Sequence, residues 1–315
     1  MITSFFKTSK PIHYIIFLIV LICLFVYQRF VIVSFEGSLL NTLSEIGYLL
    51  ILLASFFTLI FIVTKNNLTY NNGFAALYFC LFIGLIPSCL EVNSILVSNL
   101  FIVLSLRRIM SLKTKSNIKK KLFDASMWIC LAAIFEPWAI LFFLVLFSGM
   151  VIYSVTQIKN TIVPFCGILA VAILLICYRL LTENSLPSVS EFLPNLSFDN
   201  ISFNSTIKET KSFQFLAVVL FGIVSLFGKA VLKNRLKTSS MFVIILATLV
   251  GITIVFISSN NRISSYYLFA FAPASIILAN FSETIIYRWL SDLVIGLLLF
   301  TVLIQLGLNI SSLIN

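Results

Sequence analysis

Long apolar runs separated by short polar breaks fill this chain from end to end. A bilayer core of about 30 Å takes about 20 helical residues to cross. Runs of that order lie near 12–31, 39–64, 73–90, 92–109, 122–136, 138–156, 161–181, 213–229, 240–258, 265–282 and 290–310. They predict an all-α polytopic transmembrane bundle of about 11 spans. The stretches near 73–109 and 122–156 read as tight hairpins, broken at Pro87 and at Glu136-Pro137-Trp138. Proline starts a helix comfortably but breaks one from inside. No internal repeat and no separate soluble domain interrupts the pattern, so residues 1–315 read as one integral membrane domain.

The charges left between the runs are sorted by loop. With the N-terminus inside, 16 of the 21 Lys and Arg fall on the inner side and 8 of the 11 Asp and Glu on the outer side. Membrane insertion leaves this bias, and it predicts an inner N-terminus and an outer C-terminus. Two basic cytoplasmic loops decide the orientation: 107–121 holds seven Lys and Arg, and 229–239 holds four. The longest non-apolar stretch, 182–212, is acidic on balance and falls outside. Lys7 and Lys10 precede the first run, and Tyr27, Gln28 and Arg29 after it are too large for a signal-peptidase site. The first helix is therefore expected to be retained.

Composition narrows the chemistry. An apolar fraction of 60% with only 10% charged residues exceeds what a soluble core needs. The net charge of +10 is dispersed over short inner loops, which fits topogenic charge and attraction to anionic lipid rather than nucleic acid. All six cysteines lie inside or at the edge of apolar runs and no CxxC occurs, so neither a disulfide framework nor a metal site is expected. His13 is the one histidine and sits at the inner edge of the first run. A Ser-His-Asp triad needs its histidine in the site, and a zinc site usually needs several N or S ligands. No metal and no cofactor is expected.

Ionisable groups within spans are costly and are functional candidates by default. Here they gather at the predicted outer ends. Glu36 lies in the first outer loop, near Arg29. Asn41, Glu45 and Tyr48 share one helix face at i, i+4, i+7, as do Glu91, Ser94 and Ser98 at i, i+3, i+7. Glu45 is expected to face protein or an internal cavity, with Asn41 and Tyr48 as the nearest side chains able to hydrogen-bond it. Glu136 sits at the tip of the hairpin between spans five and six, Arg179 ends span seven, and Arg262 precedes Tyr266 at the start of span ten. Each also has a plain role: solvated loop charge for Glu36, Glu91 and Glu136, snorkelling for Arg179 and Arg262, interfacial aromatic for Tyr266 and Tyr267. Asp124, at the inner start of span five, is expected to cap that helix or pair with the preceding lysines.

The run Leu104-Ser-Leu-Arg-Arg-Ile-Met-Ser-Leu-Lys113, with Lys119-Lys-Lys-Leu-Phe-Asp-Ala-Ser-Met-Trp-Ile129 and the opening Met1 to Ile12, resembles a family of uncharacterised multi-pass inner-membrane proteins of flavobacteria and their relatives. That resemblance covers the whole chain and implies a bacterial inner membrane. Some members carry a carotenoid-oxygenase label, but such iron enzymes need several histidines and this chain has one. The layout also resembles the GT-C superfamily of polyprenyl-phosphate-sugar glycosyltransferases. An inner N-terminus, around eleven spans, an acidic residue after the first span (Glu36) and an outer Arg-aromatic segment leading into a Pro-containing span (Arg262 to Pro273) carry this likeness.

The second resemblance implies transfer from a lipid-linked phosphate donor at the outer face. Glu36 and Glu45 would be the catalytic candidates, with Glu36 as base. Arg262, with Arg29 or Arg179, would hold the phosphate, and Glu91, Glu136 and Tyr266 would line the substrate site. An arginine can grip phosphate bidentately, and a desolvated carboxylate can serve as general base. Two other classes stay open: a non-catalytic membrane component of an envelope or secretion assembly, and a transporter. Against the transporter, no Gly/Pro-broken spans recur in matched halves.

Overall fold

In the computed structural model, residues 6, 8, 10–32, 39–70, 72–183, 214–224, 235–257, 263–284 and 288–314 are described, and no strand occurs among them. Helix α1 (Pro11–Val26) opens on its proline and runs into a π-helical turn, Tyr27–Ile32. Then come α2 (Leu39–Lys65), α3 (Phe74–Leu85), α4 (Asn93–Ser111) and α5 (Ile118–Phe135). Helices α6 (Phe143–Ile152), α7 (Ile158–Thr161), α8 (Val163–Glu183), α9 (Gln214–Val224) and α10 (Arg235–Ile257) follow. The chain closes with α11 (Ile263–Tyr266), α12 (Leu268–Thr284) and α13 (Arg288–Ile314). Pro87 and Pro137 each start a 3₁₀ turn, Pro87–Leu90 and Pro137–Phe142, at the expected hairpin breaks.

Every apolar run contains a helix, but the helices differ in reach. Six of them among the described residues are long and apolar enough to cross a membrane, which supports a multi-pass membrane protein. The segments 74–85, 137–152, 214–224 and 268–283 are shorter. Helix α5 has 18 residues, but its first two turns carry Lys119, Lys120, Lys121 and Asp124.

Burial sets two of the short members apart. All twelve residues of α3 are buried, and so is every side chain of α12 from Leu268 to Phe281. A helix covered on all sides is apolar on all sides, so these two show no polar stripe. They pack on each other at the centre, with α1 and α13 against α3 and with α10 against α12. Around them α4 and α10 bury most of their length, while α1, α2, α8 and α13 leave two thirds or more open. Phenylalanine fills the middle: Phe82, Phe215 and Phe271 meet ring to ring. A Cβ on Gly251 would stand 2.9 Å from the backbone of Ala270. The α10–α12 contact therefore depends on a small residue there, as close helix pairs in membranes do.

One end of the bundle is basic and tied by its turns. Glu283 accepts from the backbone N–H of Tyr70 (2.9 Å) and from Asn72, and Tyr78 hydrogen-bonds Ser282 at 2.6 Å. Asp124 pairs with Arg108 across the α4–α5 hairpin at 2.8 Å rather than with the lysines before it, and Asn117 is the cap residue of α5. His13 is buried. Cys80 and Cys89 are buried, Cys130 is half-buried, and Cys23, Cys166 and Cys177 are exposed, all with free thiols.

Candidate functional site

The opposite end gathers the polar side chains. Its centre is Arg29, in the π-helical turn that ends α1. A π turn inside a helix is rare and often marks a functional position. Here both Gln28 and Arg29 are buried, at 2% and 6% exposure. Arg29 donates from Nη1 to Glu45 Oε1 at 3.4 Å and from Nη2 to the side-chain oxygen of Asn93. Its guanidinium lies 5.7 Å from the ring centres of both Phe25 and Tyr48. Gln28 donates from Nε2 to Glu91 Oε1 at 2.9 Å. Three separate stretches, the end of α1, the start of α2 and the turn into α4, thus share one network.

The expected face of Glu45 is correct in direction and different in partner. Its side chain is 12% exposed and turns to Arg29, while Asn41 is exposed and Tyr48 lends only its ring to the arginine. A charged partner outranks a neutral one in a low-dielectric setting. Among the described residues the pair leaves two buried atoms without partners, Arg29 Nε and Glu45 Oε2. The second expected face breaks apart. Helix α4 begins at Asn93, so Glu91 stands before it and reaches Gln28, whereas Ser98 donates to the Ala132 carbonyl of α5 at 3.0 Å. Glu91 is partly exposed. Burial of the rest pushes its carboxyl above the usual range, and the charge of Arg29 and the bond from Gln28 act against that rise.

A second cluster joins the spans five–six hairpin to span ten. Glu136, which read as a solvated tip charge, is 5% exposed and accepts a hydrogen bond from the Tyr266 hydroxyl. Tyr266 is itself buried rather than interfacial. Ser265 donates to the Ser88 carbonyl at 3.2 Å, so α11 also closes on the turn that precedes α4. A buried carboxylate needs partners that a solvated one does not, and the 3₁₀ turn at Pro137 tucks Glu136 inward.

Arg179 lies near the end of α8, which packs on α5. Glu36, Arg262 and residues 184–212 of the outer loop lie outside the described residues, as do 229–234 of the second basic loop. Gln28 and Asn93 are the partners that sequence reasoning passed over. Both are neutral, and their only signal was position beside Arg29 and Glu91. Among the described residues no group of three or more His, Cys, Asp and Glu could hold a metal ion. The arrangement offers a buried cation whose Nε has no hydrogen-bond partner among the described residues, a carboxylate oxygen beside it, and a second carboxyl held by a phenol. Compared with protein families, with curated proteins and with solved structures, the chain matches none.

Proposed function

We propose that this protein is an eleven-span bacterial inner-membrane protein, N-terminus in and C-terminus out, that transfers a sugar from a polyprenyl-phosphate donor at its outer face, in the manner of the GT-C enzymes. One observation carries the reading. Arg29, Glu45, Glu91, Glu136 and Tyr266 come to one end of the bundle from five different stretches of chain, through side-chain hydrogen bonds that span up to 130 residues of sequence. An acceptor hydroxyl would attack the anomeric carbon, Glu36 would take its proton, and the polyprenyl phosphate would leave. Arg262 with Arg29 or Arg179 would meet the charge that develops on the departing phosphate. Arg29 supports that role, since a guanidinium has five N–H donors and, among the described residues, two are engaged and Nε has no partner.

Binding of a polyprenyl phosphate to the full-length protein in nanodiscs tests the donor side. Arg262→Ala should weaken it about 10- to 100-fold, the usual worth of a charge-assisted hydrogen bond to phosphate. Equal affinity in both proteins, or no saturable binding at all, removes the reading. A second reading then gains from a different observation: Arg29, Glu91 and Glu136 are each already partnered within the protein. On that reading the polar end is a fastening, and the protein is a non-catalytic membrane component of an envelope assembly.

A further inference from the structure

At the basic end three helix ends meet: the last turns of α2 and α4 and the first turn of α5. Two of the cations there have polar partners. Arg108 pairs with Asp124, and the Lys121 ammonium donates to the Ser111 carbonyl and the Thr114 hydroxyl, both at 2.6 Å. Lys65 and Arg107 differ. Neither has a carboxylate within salt-bridge range among the described residues, and both lie on a single ring. Lys65 Nζ is 5.1 Å and Arg107 Cζ 4.4 Å from the centre of Phe61. Cation–π attraction and the negative ends of the two helix dipoles favour each cation singly. The two like charges at one ring still repel each other. Burial and then the charges of Lys65 and Arg108 also push the Lys121 ammonium below its ordinary value, so the positive field extends over all three helix ends.

An apolar track leads away from these cations. Leu50, Phe57 and Phe61 fall at i, i+7 and i+11 on α2 and are 60%, 51% and 38% exposed. At 1.5 Å per residue the track runs about 16 Å along the helix, away from its charged end. A soluble anion would use the cations and leave the track untouched. A lipid would use both, with phosphate against the cations and acyl chain along the track. Basic sites between helix ends at the membrane surface are a recurrent way to hold such headgroups.

We infer that Lys65, Arg107 and Phe61, at the joined ends of α2 and α4, form a binding site for the phosphodiester headgroup of an anionic membrane lipid whose acyl chain lies along Phe57 and Leu50. The test is thermal unfolding of the full-length protein in neutral detergent, with cardiolipin, phosphatidylcholine or inorganic diphosphate added. Cardiolipin should raise the midpoint by about 5 °C at saturation, and the other two by less than half of that. Lys65→Gln/Arg107→Gln should lose at least half of the rise, and Lys119→Gln/Lys120→Gln, which removes two nearby charges outside the site, should keep it. Should the first double variant fail to fold, Phe61→Leu decides, because it keeps apolar bulk and removes the ring; it should lose about half of the rise. An equal rise with phosphatidylcholine or with diphosphate, an equal loss in Lys119→Gln/Lys120→Gln, or a full rise in the site variants overturns the inference.

Discussion

Arg29→Ala is expected to lower the unfolding free energy by about 3–5 kcal/mol, the usual cost of breaking a buried ion pair from one side. The cost arises less from the lost attraction than from what stays behind. Glu45 would remain at the edge of a membrane-embedded helix, nearly covered, with no cation to balance it. Asn93 and the rings of Phe25 and Tyr48 lose their shared partner as well. Glu45→Ala should cost a similar amount by stranding the guanidinium. The double variant Arg29→Met/Glu45→Met should recover most of the loss, because replacing both charges by apolar groups of like volume is often nearly neutral. Equilibrium unfolding in mixed micelles measures the full cycle. Two single variants as stable as the wild-type protein would show the pair to be solvated and the network of little consequence.

Glu36→Gln is expected to reduce sugar transfer by about 10²- to 10⁴-fold, the typical worth of a general base. The change keeps the shape and polarity of the side chain and removes only its capacity to accept the proton, so donor affinity and folding should stay within about twofold of the wild-type protein. Arg262→Ala should behave in the opposite way, weakening donor binding first. The two variants together separate chemistry from binding. A Glu36→Gln protein that turns over normally would leave the outer charges without a catalytic role.

Helix positions could be read from the sequence because an apolar run of spanning length has few other fates. The hairpin breaks were legible for a similar reason, since Pro87 and Pro137 each permit only a few backbone geometries. Helix length relative to the membrane was not legible. The run near 73–90 looks like any other span, yet its helix is twelve residues long, ended before Pro87 and sheathed by protein on every side. One-dimensional pattern cannot tell apolar neighbours from lipid.

The site was legible in part. Glu45 stood out because a carboxylate inside a span must be paired, and its partner proved to be Arg29, already a candidate. Glu136 and Tyr266 were both singled out, but their contact crosses 130 residues and left no trace in local spacing. The Lys65–Phe61–Arg107 arrangement was hidden in the same way, since it joins two helix ends through a ring that reads as ordinary lipid-facing bulk.

Sidedness is the claim on which the outer site depends, and labelling of single cysteines tests it most directly. With the six native cysteines replaced, Ser116→Cys in the basic loop and Ser197→Cys in the acidic loop would be exposed in turn to a membrane-impermeant maleimide in intact cells. The account predicts that Cys at 197 reacts in intact cells and Cys at 116 only after the membrane is opened. Reaction of both from the same side would contradict it.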